Sequence, residues 1–248
     1  MDSNENSDEV PPSLWGQGFR VGAVKLVLFD IDGTLLISQG IGREAKRRAM
    51  TERFGTVGDL DNHAFGGQTD WGILAALLAP HGYSSADIGS EILDYQACMA
   101  RHMKAIRGGY SANALPGTFA LLAALQARAD VLPGIVSGNT GATARIKLEM
   151  ASFDPAAFPI GAYGHESPRR DDLTRLAWQR AQEHSQATIH PRDIFVIGDT
   201  PADIQAARAI DAVAVAVETG YAPRQSLLKS QPDFLLADLR EFLAIFPA

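Results

Sequence analysis

Short apolar runs alternate along this chain with segments whose apolar residues recur every three or four positions. The runs lie at residues 24–29, 130–138, 194–199 and 212–217, with a weaker one at 233–239. Apolar runs of this length are typical of parallel strands that are buried on both faces of a sheet. The pattern therefore predicts a parallel sheet.

The segments between most of these runs have the periodicity of amphipathic helices. They cover residues 117–129, 142–153, 171–184 and 201–210. Strands that alternate with helices predict an α/β fold, with a Rossmann-like parallel sheet core and helices on both faces. Because crossovers between parallel strands are right-handed, the carboxyl ends of the strands should meet at one edge, where such folds bind ligands.

Residues 38–112 break this alternation, because they contain helical patterns and no strand-like run. The patterns lie at 42–54, 70–82 and 85–106, and the basic stretch in the first of them is typical of a solvated face. An all-helical stretch after the first strand predicts a second, smaller domain. We therefore expect a core of residues 23–37 and 113–248 and an inserted domain of residues 38–112, with hinges near 38–42 and 107–117.

Composition limits the classes of partner and the cellular location that we expect for the protein. The formal net charge of −7 argues against a general nucleic-acid or anionic-membrane partner. Residues 1–22 are polar and acidic without an apolar signal segment, so we expect a flexible tail. No apolar run approaches the roughly 18 to 20 residues that span a bilayer, and we expect a cytoplasmic protein. The single cysteine, Cys98, excludes an internal disulfide, whereas nothing in these patterns predicts the oligomeric state.

Acidic and small polar residues follow three of the apolar runs. The stretches are FDIDGTL at 29–35, IVSGNT at 135–140 and VIGDTPADI at 196–204. At a shared sheet edge, Asp30, Asp32 and Asp199 would repel one another, so a cation is needed to relieve the repulsion. Hard oxygen ligands suit Mg²⁺, which usually keeps waters and a substrate phosphate as further ligands.

Over residues 24–240 these motifs resemble those of the haloacid dehalogenase superfamily of Asp-nucleophile phosphohydrolases. The chain is similar to the branch of phosphoglycolate phosphatases and β-phosphoglucomutases, whose members carry a helical cap after the first strand. They often have a GxTD stretch in that cap, and residues 66–70 are GGQTD. The resemblance implies a Mg²⁺-dependent phosphatase that hydrolyses a small phosphorylated metabolite through an aspartyl-phosphate intermediate.

The resemblance also implies a role for each acidic residue. Asp30 would be the nucleophile, and Asp32 would protonate the leaving alkoxide and later activate water. The metal would be held by the carboxylates of Asp30 and Asp199 and the backbone carbonyl of Asp32. Asp203 would steady the waters bound to the metal.

Other residues are expected to hold the phosphoryl group or the rest of the substrate. Ser137, with the amides around Gly138 and Asn139, would bind the phosphoryl group at a helix N-terminus. Gly33 allows a sharp backbone turn, and Thr34 would help to orient the acid/base residue. In the GGQTD stretch of the cap, Gln68 and Thr69 are expected to face the substrate. The same stretch also suits the start of a helix, with Thr69 or Asp70 as its N-cap.

The phosphate-binding cation departs from the common pattern of the family. Many relatives supply a lysine in a KPxP-like motif, whereas ESPRRDDL at 166–173 contains two arginines and no lysine. Arginine keeps the positive charge but has a broader, forked geometry. We favour Arg170, because RDDL leads directly into a helix, and Arg169 remains the alternative.

Four other functions are compatible with this type of fold: a haloacid dehalogenase, a phosphonate hydrolase, a sugar-phosphate mutase and a non-enzymatic binding module. Asp32 argues against the dehalogenase, which needs neither this residue nor a metal. It also argues against the phosphonate hydrolase, which typically lacks the second aspartate, but Lys46 and Lys104 could supply the cap lysine that such an enzyme needs, so this alternative is not excluded. A mutase keeps the same core, so that alternative stays open. A binding module would be expected to have lost a catalytic residue, and the only visible departure is the arginine.

Overall fold

The computed structural model describes residues 24–247, so the expected tail of residues 1–22 lies outside the described part. Its strands are β1 (Lys25–Phe29), β2 (Leu36–Ser38), β3 (Ala112–Ala114), β4 (Val131–Ser137), β5 (Ile160–Tyr163), β6 (Ile194–Gly198), β7 (Val213–Val217) and β8 (Phe234–Leu236). Its helices are α1 (Ile41–Phe54), α2 (Asp70–Leu78), α3 (Ser85–Ile106), α4 (Thr118–Gln126), α5 (Gly141–Met150), α6 (Arg170–Ser185), α7 (Pro201–Arg208), α8 (Arg224–Lys229) and α9 (Phe242–Ile245). Within residues 24–247, no helix combines the length and apolarity that crossing a bilayer requires.

Six strands form one parallel sheet in the order β5-β4-β1-β6-β7-β8. Alternate residues of β1 point to opposite faces because side chains alternate along a strand. Phe29 packs into the cluster that contains residues of α4 and α5, and Leu28 packs into the cluster that contains residues of α6 and α7. The predicted α/β fold with helices on both faces of a parallel sheet is confirmed.

Helices α1, α2 and α3 follow β2 and contribute most of a third hydrophobic cluster. Its largest buried side chain is Tyr95, and Ile146 of α5 also packs into it. The chain enters and leaves this helical insertion through an antiparallel ribbon, in which Ser38 of β2 pairs with Ala112 of β3. Division into a core and a separate domain of residues 38–112 stays a prediction.

The sequence patterns did not predict three of the strands. Strands β2 and β3 have only three residues each, which is too short for a periodic pattern. Strand β5 lies at the edge of the sheet and alternates between buried and partly exposed residues, one of which is Gly161. An edge strand of four residues with a glycine lacks the continuous apolar run that marks the inner strands.

Candidate active site

The carboxyl ends of three neighbouring strands place polar side chains around one cavity. Asp30 follows β1, Ser137 ends β4 and Asp199 follows β6. Because β1 lies between β4 and β6, these three ends are adjacent. A cavity of about 620 Å³ is lined by residues of this edge and of the helical insertion. Open parallel sheets bind ligands at such a position, where strand order reverses.

Arg170 joins two of the carboxylates at the cavity. Its Nη2 lies 2.9 Å from Oδ1 of Asp30 and 2.5 Å from Oδ1 of Asp203. The same nitrogen donates to the carbonyl of Val136 at 3.1 Å. Although burial favours the neutral guanidinium, Asp203 and Asp30 hold the pKa of Arg170 above its usual range. Arg170 is therefore a fixed positive charge beside Asp30.

Arg169 lies in a different environment, although it is the adjacent residue. Its side chain is 68% exposed, and its nitrogens lie 3.7 Å from Asp171 and 3.8 Å from Asp172. The structure thus brings Arg170, and not Arg169, to Asp30. The assignment of the phosphate-binding role to Arg170 stays a prediction, now with a defined geometry.

The carboxylates of Asp30 and Asp199 carry more negative charge than this arginine balances. Burial, with a smaller contribution from Asp203, raises the pKa of Asp30 to about 6 even though the arginine opposes this shift. Burial, followed by repulsion from Asp203 and Asp30, raises the pKa of Asp199 to about 8. Neutral donors reach the Asp199 carboxylate: the amide of Tyr221 at 2.8 Å and the hydroxyl of Thr34 at 3.4 Å. The arrangement favours a further positive charge beside these carboxylates.

Asp203 caps the first turn of helix α7 as well as contacting the arginine. Its Oδ2 accepts hydrogen bonds from the amide of Thr200 at 3.0 Å and from its hydroxyl at 2.6 Å. These contacts belong to a capping box, which satisfies backbone donors at the start of the helix. Because one oxygen is fixed by the cap, the other is held towards Arg170. The expected role of Asp203 around metal-bound waters stays a prediction.

Both carboxylate oxygens of Asp32 have hydrogen-bond donors. The hydroxyl of Ser38 donates to Oδ1 at 2.7 Å, and Nδ2 of Asn139 donates to Oδ2 at 2.8 Å. Nζ of Lys147 lies 2.5 Å from the same Oδ2. Burial alone would raise the pKa of Asp32, but Lys147 and these hydrogen bonds outweigh it and lower the pKa below its usual value.

The turn after Asp32 packs its backbone against Asp199. Gly33 has a φ of +91°, in the left-handed region that favours glycine, and a Cβ at this position would collide with the Asp199 carboxylate. Thr34 is fully buried, and its hydroxyl donates to Asp199. The hydroxyl expected to orient Asp32 therefore has Asp199 as its partner.

The loop after β4 brings the predicted phosphate-binding residues together and contacts the insertion. Ser137 is fully buried, and its Oγ accepts from Nδ2 of Asn139 at 2.9 Å. The carbonyl of Gly138 accepts from the amide of Asp70, the first residue of α2, at 2.7 Å. The loop thus lies between the sheet edge and the insertion, and it lines the cavity.

Gln68 and Thr69, which were expected to face the substrate, have different surroundings. Gln68 lines the cavity, and its side-chain amide donates to the carbonyl of Ala64 at 2.7 Å. Thr69 is buried, and its hydroxyl accepts from the amide of Gly72 at 3.0 Å, which makes it the N-cap of α2. The side-chain oxygen of Gln68 also lies 3.2 Å from Nε2 of His63, so both residues have partners within the insertion, and their expected substrate-facing role stays a prediction.

Two lysines at this site are buried in contact with aspartates, which the sequence patterns did not predict. Lys147 of α5 contacts Asp32, as described above. Lys46 of α1 is 3% exposed and forms an ion pair with Asp70, where a solvated basic face was expected. The second oxygen of Asp70 accepts from the amide of Thr140 at 2.9 Å. The ion pair therefore connects the insertion with the start of α5.

Another group of ligand-type side chains lies on α1 and α3, outside the cavity lining. Glu52, Cys98 and His102 place their ligand atoms within 4.8 Å of one another. Nη2 of Arg101 lies 2.5 Å from Oε1 of Glu52 and 3.4 Å from Sγ of Cys98. This group already has a cation, since the guanidinium neutralises the carboxylate.

Known proteins resemble this chain in sequence. The model of the haloacid dehalogenase-like hydrolase family matches residues 24–211. A phosphoglycolate phosphatase from Synechococcus elongatus is 33% identical over 121 residues, so that the match covers 49% of this chain and about half, 53%, of the cyanobacterial protein. A phosphoglycolate phosphatase from Rhodospirillum rubrum is 29% identical over 205 residues, which cover 79% of this chain and 80% of that protein.

Solved structures share the fold. The crystal structure of CbbY from Rhodobacter sphaeroides in complex with phosphate has a TM-score of 0.65 with this chain. The similarity covers 88% of this chain and 96% of CbbY at 17% sequence identity. At that identity, it concerns the fold alone.

Proposed function

Since the chain belongs to the haloacid dehalogenase-like hydrolase family, we propose that it is a Mg²⁺-dependent phosphatase that hydrolyses a small phosphorylated metabolite through an aspartyl-phosphate intermediate. The observation that carries the proposal is that Asp30, Asp32 and Arg170 all line one cavity at the carboxyl edge of the sheet. Two carboxylates in different environments beside one fixed cation suit a reaction that needs a nucleophile and an acid/base group.

In the first step, a carboxylate oxygen of Asp30 attacks the phosphorus atom of the substrate. The bond from Asp30 to phosphorus forms as the bond from phosphorus to the leaving alcohol oxygen breaks. Binding of the negatively charged phosphoryl group beside Asp32 favours the protonated form of this carboxyl, which then donates its proton to that oxygen, so the alcohol leaves as a neutral molecule. Arg170 keeps the Asp30 side chain in place, because its Nη2 holds Oδ1 at 2.9 Å.

In the second step, water hydrolyses the aspartyl phosphate. Asp32 takes a proton from the water as its oxygen bonds to phosphorus, and the bond to Asp30 breaks to release inorganic phosphate. The proton that Asp32 gave away in the first step is thereby restored. The carboxylate of Asp32 accepts hydrogen bonds from Ser38 on one oxygen and from Asn139 on the other.

Arg170 and the loop after β4 bind the phosphoryl group in this proposal. Arg170 has a buried Nε without a hydrogen-bond partner within residues 24–247, so a donor remains for a phosphoryl oxygen. Ser137 and the backbone amides that follow it precede α5, whose N-terminus favours anions. Donors fixed before the reaction stabilise developing charge most effectively, since they need not reorganise.

A magnesium ion fits the donor set that this chain offers. Asp30 and Asp199 are hard oxygen ligands, and burial, with repulsion from neighbouring carboxylates, raises the pKa of each, so a cation between them would be favourable. Gly33 and Gly220 make room for the Asp199 carboxylate, because a Cβ at either position would collide with it. Asp30, Asp199 and the carbonyl of Asp32 would hold the ion. When bound, it would supply positive charge to the carboxylates and the phosphoryl oxygens.

Residues 38–112 act as a cap over the cavity in this proposal. Arg43 and Phe65 of the insertion line the same cavity as Asp30 and Asp32. Arg43 lies in cation–π contact with Phe65, 4.4 Å from the ring centroid, and donates to the backbone carbonyl of Asp61. A chamber of this size with a cation in its cap suits a small anionic organophosphate.

Phosphate release from a panel of phosphorylated metabolites, with and without Mg²⁺, tests the proposed function. Because both curated relatives are phosphoglycolate phosphatases, 2-phosphoglycolate is the first substrate of the panel. We expect Mg²⁺-dependent release that is confined to a few substrates. Isomerisation of a sugar phosphate without net phosphate release would instead favour a mutase, and the absence of turnover with every substrate would contradict the proposal.

Magnesium is also expected to stabilise the fold. Saturation at about a hundred times the dissociation constant contributes about 2.7 kcal/mol, which for a chain of this size raises the unfolding midpoint by about 5–10 °C. Asp199→Asn should abolish this shift, because it removes a ligand carboxylate. Asp238→Asn, which changes a helix cap away from the cavity, should retain it. If Mg²⁺ raises the unfolding midpoint of the Asp199→Asn protein equally, the stabilising ion binds at a different site.

A further inference from the structure

Lys147 is a buried residue with no role in the reaction steps proposed above. Its side chain is 6% exposed, and its Nζ lies 2.5 Å from Oδ2 of Asp32 and 2.7 Å from Oδ1 of Asn139. The lysine comes from the interior of α5, two turns after the N-cap Thr140. Because side chains on a helix lean towards its N-terminus, Lys147 can reach back to the carboxyl edge of the sheet.

Lys147 determines which way the amide group of Asn139 faces. A lysine ammonium is only a donor, so it requires the amide oxygen and turns the amide nitrogen in the other direction. That nitrogen donates to Oδ2 of Asp32 at 2.8 Å and to Oγ of Ser137 at 2.9 Å. With the amide reversed, its oxygen would face the carboxylate of Asp32, and the two acceptors would repel each other.

The helical insertion packs against the ammonium group of Lys147. A Cβ built on Gly42, in the first turn of α1, would lie 3.1 Å from Nζ and 3.4 Å from Cε of Lys147. Helix α1 thus passes close to the ammonium group, and the absence of a side chain at Gly42 leaves room for it there. Ser38, which lies just before α1, holds the other oxygen of Asp32. The acid/base carboxylate is thus fixed from the core on one oxygen and from the entry to the insertion on the other.

We propose that Lys147 is a positioning residue that holds Asp32 and Asn139 in the arrangement from which Asp32 meets the leaving-group oxygen. The inference rests on the proposed phosphatase function. Lys147 does not itself contact the phosphoryl group in this role. Its loss should therefore impair the protonation of the leaving group more than any other part of the reaction.

The choice of leaving group tests this role. An alkoxide leaves only with a proton, whereas p-nitrophenolate is stable as an anion and needs none. Lys147→Met should lower kcat/KM by about 10²-fold for an alkyl phosphate that the wild-type protein hydrolyses, which is the size of a general-acid contribution. For p-nitrophenyl phosphate we expect kcat/KM to change by less than about threefold. This parameter covers only the steps up to the first irreversible one, and the departure of p-nitrophenolate needs no proton.

Two further variants separate positioning from a structural role. Lys147→Arg keeps the charge and should recover part of the alkyl phosphate activity, and it carries the same test if the methionine variant does not fold. Lys25→Met is a matched control, since Lys25 is also buried and paired with an aspartate, Asp130, at 3.1 Å. We expect Lys25→Met to show no dependence on the leaving group.

The outcomes distinguish this inference from the proposed function. A loss confined to the alkyl substrate, in Lys147→Met or in Lys147→Arg, supports the positioning role. An equal loss with both substrates, or no loss with either, overturns it while wild-type turnover still supports the phosphatase. If the wild-type protein releases no phosphate from the panel, the proposed function itself fails.

Discussion

Asp30→Asn is expected to lower phosphate release by at least about 10⁴-fold, the loss that follows from removing an essential nucleophile. Asparagine has nearly the same shape as aspartate, so the substitution leaves the packing around β1 unchanged. Its amide oxygen is a poor nucleophile, and its amide nitrogen meets the guanidinium of Arg170 without attraction. The effect should appear in kcat with every substrate, because the covalent step through Asp30 is common to all of them.

Mass spectrometry gives a direct readout of the same prediction. Wild-type protein that is denatured during turnover should carry a phosphoryl group on the peptide that contains Asp30, and Asp30→Asn should carry none. Asp130→Asn is the matched control, since Asp130 precedes β4, the strand next to β1, and is paired with Lys25 and Arg128 away from the cavity. Turnover within about tenfold of wild type in Asp30→Asn would contradict a covalent role for this residue.

The inner strands of the sheet could be predicted from the sequence because a strand that is buried on both faces is apolar at nearly every position. The run 24–29 contains β1, and the run 194–199 contains β6, each with buried residues throughout. Strands β2, β3 and β5 are short and partly exposed, so they lack a continuous apolar run. Such strands form where a neighbouring strand pairs with them, which local sequence does not show. Helix α2 was also predicted too long, because Pro80 follows its last residue, Leu78, closely and the chain continues as a short 3₁₀ turn.

The acidic part of the site could be predicted because each residue directly follows a recognisable strand. Asp30 and Asp199 need only the rule that parallel strands end at one edge, and the structure places both there. The roles of these residues come from the resemblance and remain predictions. The position of Arg170 at the start of α6 was also predicted from its sequence neighbours, and the structure adds the contact with Asp30.

The lysines could not be predicted in the same way. Lys46 and Lys147 reach their partners across long separations in the chain, from α1 to Asp70 and from α5 to Asp32. A weak signal exists for Lys147, which stands between Ile146 and Leu148, both of which are buried. In an amphipathic helix such a position borders the apolar face, but only the tertiary arrangement shows which acidic group lies there.

Arg170→Met is expected to lower kcat/KM by about 10³-fold, because it removes the fixed cation beside the phosphoryl group. It also leaves Asp30 and Asp203 without their buried ion-pair partner, and breaking a buried pair costs about 3–5 kcal/mol of stability. Activity therefore has to be measured below the unfolding midpoint of the variant. Arg170→Lys separates the two effects, since it keeps the charge but lacks the planar guanidinium whose Nη2 contacts both carboxylates.

Arg169→Met is the matched control for this prediction. Arg169 is the neighbouring arginine, but its side chain is 68% exposed and its nearest carboxylates are at 3.7 Å and 3.8 Å. Exposed ion pairs of this kind contribute little, so activity and stability should both stay close to wild type. We expect Arg170→Lys to lie between wild type and Arg170→Met in kcat/KM. A larger loss in Arg169→Met than in Arg170→Met would assign the phosphate-binding cation to the exposed arginine, because only movement of that side chain into the cavity on substrate binding could produce it.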